Sequence, residues 1–143
     1  VRKCRYCAFY SVEGSVVLQQ KYVESVKKEL SMYAHHGPFT TIFLGGGSPS
    51  ALEESLLLEL VRWAGQYLQP DGEFTVEVNP GQTNLTLFQK LKNYGVNRIS
   101  IGAQSFDDKE LEFLGRIHQV ADIKRCVADG HTAGFPQRSS ISL

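Results

Sequence analysis

Segments with apolar residues at helical spacing alternate along this chain with short runs of β-branched and aromatic residues. Apolar positions three or four residues apart predict amphipathic helices, and the β-branched runs predict strands. The predicted helices cover residues 17–33, 52–67, 84–94, 107–114 and 120–128. The predicted strands cover residues 40–44, 73–78 and 98–103, and residues 139–143 are expected to begin a fourth.

Capping and turn residues set the predicted boundaries of these elements. Ser50 is the expected N-cap of the second helix, because a serine side chain can accept a hydrogen bond from a free amide at a helix start. The sequence Pro-Asp-Gly at 70–72 predicts a turn before the second strand. Gly95 and Gly130 are expected to end the third and the last helix, because glycine adopts the left-handed conformation common there.

Strand and helix alternate about three times, which indicates parallel strands joined by helical crossovers. Both an open doubly wound sheet and part of a β/α barrel fit that order. The strand faces favour the barrel, because strands with helices on both sides would be continuously apolar, whereas these have one polar face. Glu77 and Gln104 fall at C-terminal strand ends, where such barrels build their active sites. In the second strand, the apolar set Phe74, Val76 and Val78 alternates with the polar set Thr75, Glu77 and Asn79.

Composition and charge exclude several classes of protein. The chain has 143 residues and a mass of 16.0 kDa, which suits one domain. Its 15 Lys and Arg balance 15 Asp and Glu, so no basic excess predicts binding to nucleic acid. No apolar run approaches the roughly 20 residues that span a bilayer. Three cysteines are too few for a disulfide scaffold and predict a reducing, cytoplasmic location.

Cys4 and Cys7 are spaced so that two thiolates can bind one metal centre. On spacing alone that centre is zinc or the iron of an iron–sulfur cluster. A redox dithiol and a purely structural pair also remain open. Cys126 lies among apolar neighbours in a predicted helix and is expected to be a small buried side chain.

Three consecutive glycines at 45–47 separate the first predicted strand from the following helix. Glycines let a backbone approach a ligand closely, although this loop lacks the lysine of a phosphate-binding Walker loop. A merely permissive turn is the alternative. Taken singly, Glu77 is equally consistent with a paired or solvated carboxylate, and Gln104 with a cap of the loop at Ser105 and Phe106. Arg116 at such a position is usually a solvated charge, and His118 is more often a histidine at the surface or the edge of the core than a ligand.

Four stretches, taken in order, resemble one family. They are CRYCAFYS at 4–11, FLGGGSPS at 43–50, EVNPG at 77–81 and GVNRISIGAQSFDD at 95–108, continued by LGR at 114–116 and His118. This order is similar to the catalytic half of radical S-adenosylmethionine (SAM) proteins. More narrowly, it resembles the oxygen-independent coproporphyrinogen III oxidase-like family, which includes the HemW-type heme chaperones. The resemblance covers about residues 1–134, and its last two stretches are specific to that family.

The resemblance implies an α/β fold, namely a partial radical SAM (β/α) barrel of about the first four βα units. Residues 1–143 would then form one radical SAM core domain that is incomplete at both ends. Strand 1 of the barrel and the first cysteine of the family's CxxxCxxC motif are expected before Val1. From Pro136 onward, the chain lacks the aspartate-bearing strand that is typical of the family.

The resemblance also implies two cofactors. Cys4, Cys7 and the cysteine expected before Val1 would bind a [4Fe–4S] cluster whose open iron takes SAM, and reduction would cleave SAM to methionine and a 5′-deoxyadenosyl radical. No further catalytic residue is assigned. The residues expected to contact SAM are Gly46, Gly47 and Ser48 at its amino group, Glu77 at the ribose hydroxyls, and Gln104 and Arg116 at its other polar groups.

For the complete protein, the resemblance implies SAM cleavage with heme binding and delivery. Its partners would be heme or a porphyrin and an electron donor such as a flavodoxin or ferredoxin, with no nucleic acid and no membrane span. The first alternative is coproporphyrinogen III dehydrogenase. That activity is doubtful because the dehydrogenases carry a further cysteine at the position of Phe9. A second alternative, from a different class, is a non-enzymatic zinc or redox module.

Overall fold

Within the part of the chain that the structure describes, four parallel strands form one sheet in the order β1-β2-β3-β4. The structure, a computed structural model, describes residues 4–10, 12, 14–135 and the backbone of 140–142. Each strand lies beside the next strand in the chain, which is typical of a barrel segment. In a doubly wound sheet, by contrast, the order in which strands are added to the sheet reverses at a switch point. The strands are β1 (Phe39–Leu44), β2 (Leu68–Val78), β3 (Arg98–Gly102) and β4 (Ser140–Ser142).

Helices precede the sheet and connect its strands, as the alternating pattern predicts. The helix α1 precedes β1, α2 and α3 form the first two crossovers, and α4 and α5 together form the third. Among the described helices, none combines the length and the apolar character needed to cross a bilayer. The bounds are α1 (Val16–Tyr33), α2 (Glu54–Ala64), α3 (Leu85–Asn93), α4 (Asp108–Leu114) and α5 (Val120–Thr132).

The main core lies between the apolar face of the sheet and the crossover helices. Phe74, Val76 and Val78 of β2 are buried against residues of α2 and α3, which confirms the predicted apolar face of that strand. Burying a side chain the size of phenylalanine stabilises a fold by about 1.5–3 kcal/mol. The opposite face is polar, but Thr75 and Ser100 on it are also buried. The crossover helices α2 and α3 therefore pack on the apolar face of the sheet, and the candidate site residue Glu77 lies on the other face.

The predicted turn at residues 70–72 is wrong, because β2 runs through it. Phe39 pairs with Leu68 and Thr41 with Glu73, so a step of two residues in β1 matches a step of five in β2. Such an irregularity places extra residues in one strand without ending the pairing. Gly72 allows the close approach, because a Cβ there would lie 2.9 Å from the carbonyl oxygen of Thr40.

The predicted N-cap at Ser50 is also wrong. Ser50 belongs to a 3-10 turn, Pro49–Ala51, and α2 begins only at Glu54. The carboxylate of Glu53 caps α2 by accepting hydrogen bonds from the Ser55 amide and hydroxyl, 2.6 and 2.8 Å away. Both hydrogen bonds lower the pKa of Glu53, and the bond from the Ser55 hydroxyl has the larger effect. The helix ends at Ala64 rather than Tyr67, because the chain tightens into the 3-10 turn Gly65–Tyr67.

Helix α5 passes through Gly130, contrary to the prediction, and ends two residues later. The turn that stops it is at Gly134, which has a φ of +85°. The Phe135 amide donates to the Gly130 carbonyl at 3.0 Å, and the Gly134 amide donates to the His131 carbonyl at 2.9 Å. These two bonds form a Schellman motif. Gly95, with a φ of +92°, ends α3 in the same way, as predicted.

Two buried side chains lie near the carboxyl end of the sheet without a predicted role in a site. Cys126 is buried, as expected, and its sulfur lies 3.4 Å from the Thr83 hydroxyl; burial raises the pKa of the thiol. His118 is only 2% exposed, and its Nε2 donates to the Ala103 carbonyl at 3.1 Å. Burial, with a smaller contribution from Arg116, lowers the pKa of His118. Its ring is therefore neutral in the folded protein near pH 7.

The two glycines at the end of α5 are expected to respond oppositely to alanine. A Cβ would meet no described atom within 4 Å at either Gly130 or Gly134, so the two sites differ in their backbone conformations. Gly130→Ala should stabilise the complete protein by about 0.5–1 kcal/mol, because alanine loses less entropy in a helix. Gly134→Ala should destabilise it by more than about 1 kcal/mol, because its φ is positive. Denaturant midpoints of both variants test this, and stabilisation by Gly134→Ala would contradict the α5 boundary.

The buried His118 is expected to make folding sensitive to mild acid. Its pKa is lower in the folded state than its ordinary value of 6.5, so the unfolded chain binds more protons below that value. The free energy of unfolding should therefore fall as the pH drops below about 6.5. His118→Gln should reduce that fall, and the same change at exposed His36 should keep it. Unfolding curves at several pH values measure the slope; an unchanged slope in His118→Gln would contradict the account.

Candidate functional site

The carboxyl ends of β1, β2 and β3 meet at one edge of the sheet. The glycine loop, residues 45–47, follows β1, while Asn79 follows β2 and Gln104 lies two residues beyond β3. Leu44 pairs with Val76, which brings Glu77 level with the first residue of the glycine loop. The Gly46 amide donates to Glu77 Oε2 at 3.2 Å. The structure thus brings the glycine loop and Glu77 together, as the strand pattern predicts.

Two positions of the glycine loop require glycine, each for a different physical reason. A Cβ on Gly45 would lie 2.9 Å from Glu77 Oε2 and 2.0 Å from the ring of Phe43, so a side chain there would displace one of them. Gly46 has a φ of +104°, which glycine adopts without strain. A Cβ would meet no described atom within 4 Å at Gly46 or Gly47. The loop therefore borders open space, where a ligand can approach its backbone.

A network of hydrogen bonds, the strand-end network, joins Ser48, Ser50, Asn79 and Gln82. The side-chain Nδ2 of Asn79 donates to the Ser48 hydroxyl at 2.7 Å, and the backbone N–H of Asn79 donates to the Ser50 hydroxyl at 3.1 Å. The Ser48 and Ser50 hydroxyls both donate to Gln82 Oε1, at 2.9 and 3.1 Å. Ser48 is thereby fixed by the end of β2 and the turn after it.

Arg116 connects this network to the cysteines. Its Nη2 donates to Asn79 Oδ1 at 2.5 Å and to the Gly102 carbonyl at 2.9 Å. Its Nη1 lies 3.3 Å from Cys4 Sγ and 3.4 Å from the Tyr6 hydroxyl. The side chain is half-buried and is therefore not the free solvated charge that its isolated position would allow.

The cysteine loop, residues 4–7, is docked on the end of α4. The Cys7 amide donates to the Cys4 carbonyl at 3.2 Å, which closes the turn. The Arg5 amide donates to the Leu114 carbonyl at 3.1 Å, and a Cβ on Gly115 would lie 3.2 Å from Arg5 Cγ. Both thiols are half-buried and free. One turn therefore presents two sulfur ligands beside Arg116.

Several buried polar atoms at this edge have no partner within the part of the chain that the structure describes. They include Gln104 Oε1 and Arg116 Nε. Gln104 has a φ of +65° and folds back over Gly102, where a Cβ would lie 3.2 Å from its Nε2. Buried polar atoms are normally hydrogen-bonded, so these atoms indicate a place for a polar ligand.

The Arg116 charge is balanced by no carboxylate among the described residues. Its oxygen acceptors within the described ranges belong to an amide side chain, a backbone carbonyl and the Tyr6 phenol. Burial raises the pKa of Tyr6, against the smaller opposing effect of Arg116, so this phenol stays neutral near pH 7. A half-buried cation with neutral acceptors favours an anionic ligand.

The sequence pattern alone missed Tyr6, Ser50 and Gln82 as parts of this edge. Ser50 and Gln82 lie outside the strands, where a period of two gives no signal. Tyr6 lies between the cysteines, whose own spacing says nothing of their neighbours. No group of three or more His, Cys, Asp and Glu side chains suited to a metal ion occurs in the described ranges. The third cluster ligand, expected before Val1, stays a prediction, and Ser11 and the tail at 136–139 lie outside the described residues.

Curated relatives are similar to this chain over most of its length. The chain is 38% identical over 135 residues to the heme chaperone HemW of Synechocystis sp. and 41% identical over 133 residues to that of Escherichia coli. These matches cover 88% and 87% of this chain but 33% and 35% of the relatives. The chain thus spans about a third of the length of these curated relatives.

A solved structure shares the fold. Coproporphyrinogen III oxidase (HemN) of Escherichia coli, a radical SAM enzyme, superposes with a TM-score of 0.80 at 22% identity, over 94% of this chain and 32% of that one. This likeness confirms the partial barrel. A model of the Radical SAM superfamily matches residues 1–143. The chain therefore belongs to the radical SAM superfamily, and its sequence is similar to the HemW heme chaperones.

Proposed function

We propose that this chain holds a [4Fe–4S] cluster at Cys4 and Cys7 and SAM at the adjoining strand edge, as the core of a heme-chaperone-like protein. One observation carries the proposal: Arg116 contacts both Cys4 Sγ and the ends of two strands. The cysteine loop and the polar strand edge are therefore parts of one site. Radical SAM proteins in general use these two cofactors, and the donor set here suits both.

The cysteine loop suits an iron–sulfur cluster. Cys4 and Cys7 lie in one closed turn, and thiolates are the usual ligands of such clusters. The Arg116 guanidinium, 3.3 Å from Cys4 Sγ, offsets the negative charge that thiolates bring. When bound, the reduced cluster supplies the electron that cleaves SAM.

The strand edge suits SAM. The open space beside Gly46 and Gly47 lets a small amino-acid group approach the loop backbone and Ser48. The Glu77 carboxylate accepts from Gly46 and has further lone pairs for ribose hydroxyls. Gln104 Oε1 and Arg116 Nε, which are buried without described partners, offer one acceptor and one donor to the remaining polar groups.

A role in heme handling is supported by the relatives that are named heme chaperones, at 38% and 41% identity. The complete protein would then take heme or a porphyrin as its small-molecule partner and receive electrons from a flavodoxin or ferredoxin. Phe9, 58% exposed, lies where a dehydrogenase would need a thiol. Its ring has no sulfur to offer, which favours the chaperone over the dehydrogenase.

Removing Glu77 or Gln104 is expected to weaken SAM binding in the complete, anaerobically reconstituted protein. Each Ala variant loses a hydrogen bond worth about 0.5–1.5 kcal/mol, and more where a buried partner is stranded, so the SAM dissociation constant should rise about three- to tenfold. Iron content should stay at the wild-type value. Calorimetry measures the affinity. Glu73→Ala is the control, because Glu73 lies four residues before Glu77 in β2 and pairs with Arg98 at the start of β3; equal affinities in all variants would remove Glu77 and Gln104 from the site.

The complete protein is expected to bind heme and cleave SAM slowly, without converting coproporphyrinogen III to protoporphyrinogen IX. Heme titration followed by absorbance measures the first property. An anaerobic assay with SAM and a reductant, followed by porphyrin fluorescence after oxidation, measures the last. Substantial turnover would favour the dehydrogenase, and stoichiometric zinc without iron after reconstitution would favour the non-enzymatic module.

A further inference from the structure

Asn79 is tied through all of its polar groups to different segments of the site. Its side chain contacts Arg116 and Ser48. Its backbone N–H donates to the Ser50 hydroxyl, and its backbone carbonyl accepts from the backbone N–H of Gln82. We propose that Asn79 is a positioning residue that fixes Arg116 and Ser48 relative to each other, and so aligns the cysteine loop with the glycine loop. The inference rests on the proposed function, since it concerns residues proposed to contact SAM.

The direction of these hydrogen bonds is fixed by the chemistry of their ends. A guanidinium only donates, so Asn79 must present its oxygen to Arg116 and its NH₂ group to Ser48. The Ser48 hydroxyl accepts a hydrogen bond from Asn79 at 2.7 Å and donates one to Gln82 Oε1 at 2.9 Å. The chain of donors therefore runs from Arg116 through Asn79 and Ser48 to Gln82.

Only an amide serves both neighbours at this position. A carboxylate would accept from Arg116 but has no proton for Ser48, whose hydroxyl would then turn away from Gln82. It would also neutralise the Arg116 cation, whose described oxygen acceptors are all neutral. An alanine would release both side chains. There is also little room for movement, because a Cβ on Gly102 would lie 3.1 Å from Asn79 Oδ1.

Asn97 offers a matched control at the opposite end of the sheet. Its Oδ1 accepts from the Phe74 amide at 2.9 Å, and its Nδ2 donates to the Gly72 carbonyl at 2.7 Å. Asn97 therefore resembles Asn79 in using both its side-chain oxygen and its NH₂ group for hydrogen bonds beside β2, although Asn97 is exposed and Asn79 is half-buried. Asn97→Ala should lower the melting temperature but leave the SAM affinity unchanged.

The test uses the complete protein with its reconstituted cluster and SAM as the probe. Asn79→Ala and Asn79→Asp should each raise the SAM dissociation constant about tenfold, or about 1.4 kcal/mol, with iron content retained. The EPR spectrum of the reduced cluster should change on SAM addition as in the wild type, but at about tenfold higher SAM. In a double-mutant cycle with Arg116→Lys, the effect of Asn79→Ala should shrink to less than about threefold, because Asn79 acts through Arg116.

The outcomes separate this inference from the function on which it rests. If the reconstituted wild-type protein binds no SAM, the proposed function fails and the inference fails with it. If the wild type binds SAM and Asn79→Ala binds it equally well, only the positioning role is overturned. Additive effects of Asn79→Ala and Arg116→Lys, or an equal loss of affinity in Asn97→Ala, would likewise overturn it, since a general loss of stability would then explain the data.

Discussion

The site depends on one half-buried guanidinium that must find acceptors on three separate segments. Arg116 finds them on the end of β2, on the end of β3 and on the cysteine loop. A buried donor without an acceptor costs about 1–3 kcal/mol, and a charged one costs more, so these contacts hold the segments together. Because the described oxygen acceptors are neutral, the positive charge remains to offset both the Cys4 thiolate of a bound cluster and an anionic ligand. The same residue thus explains both the shape of the edge and its preference for negative charge.

The position of the glycine loop depends in turn on the register between β1 and β2. Leu44 lies opposite Val76, and this brings the Gly46 amide to Glu77. A slip of one residue would turn every side chain of β2 to the other face and bury Glu77 in the core. The irregular stretch of β2 before Glu73 takes up the extra residues at the far end of the strand, so the register at the site is regular. The fold therefore separates the irregular pairing of β1 with β2 from the edge that holds the functional residues.

Periodicity predicted the elements that obey regular patterns and missed those that depend on tertiary contacts. The faces of β2 and the helix end at Gly95 follow from a period of two and from glycine's conformation. The prediction that α5 ends at Gly130 was wrong because a glycine inside a helix and one just beyond it look alike in sequence. The hydrogen bonds of the Schellman motif at Gly134 distinguish the two. Pro-Asp-Gly at 70–72 misled because a strand can absorb such residues as a bulge when its neighbour permits.

The residues of the candidate site divide in the same way, into those that a regular pattern predicts and those that depend on tertiary contacts. Glu77 and Gln104 were predicted from strand ends, since parallel strands bring their carboxyl ends to one edge. Arg116 was identified only by resemblance, because nothing in its local pattern shows that it contacts residues far away in the sequence. Ser50 was predicted only as a helix cap and Gln82 was not singled out, since both act through hydrogen bonds that exist only after the strands have paired.

The central claim is that the cysteine loop and the strand edge form one site in which SAM lies against the cluster. Electron–nuclear double resonance on the reduced complete protein, with SAM labelled with ¹⁵N at the amino group and ¹³C at the carboxylate, tests it most directly. The account predicts resolved hyperfine couplings from both labels to the cluster spin. Bound SAM without such couplings would show that the two halves do not form one site, and would contradict the account.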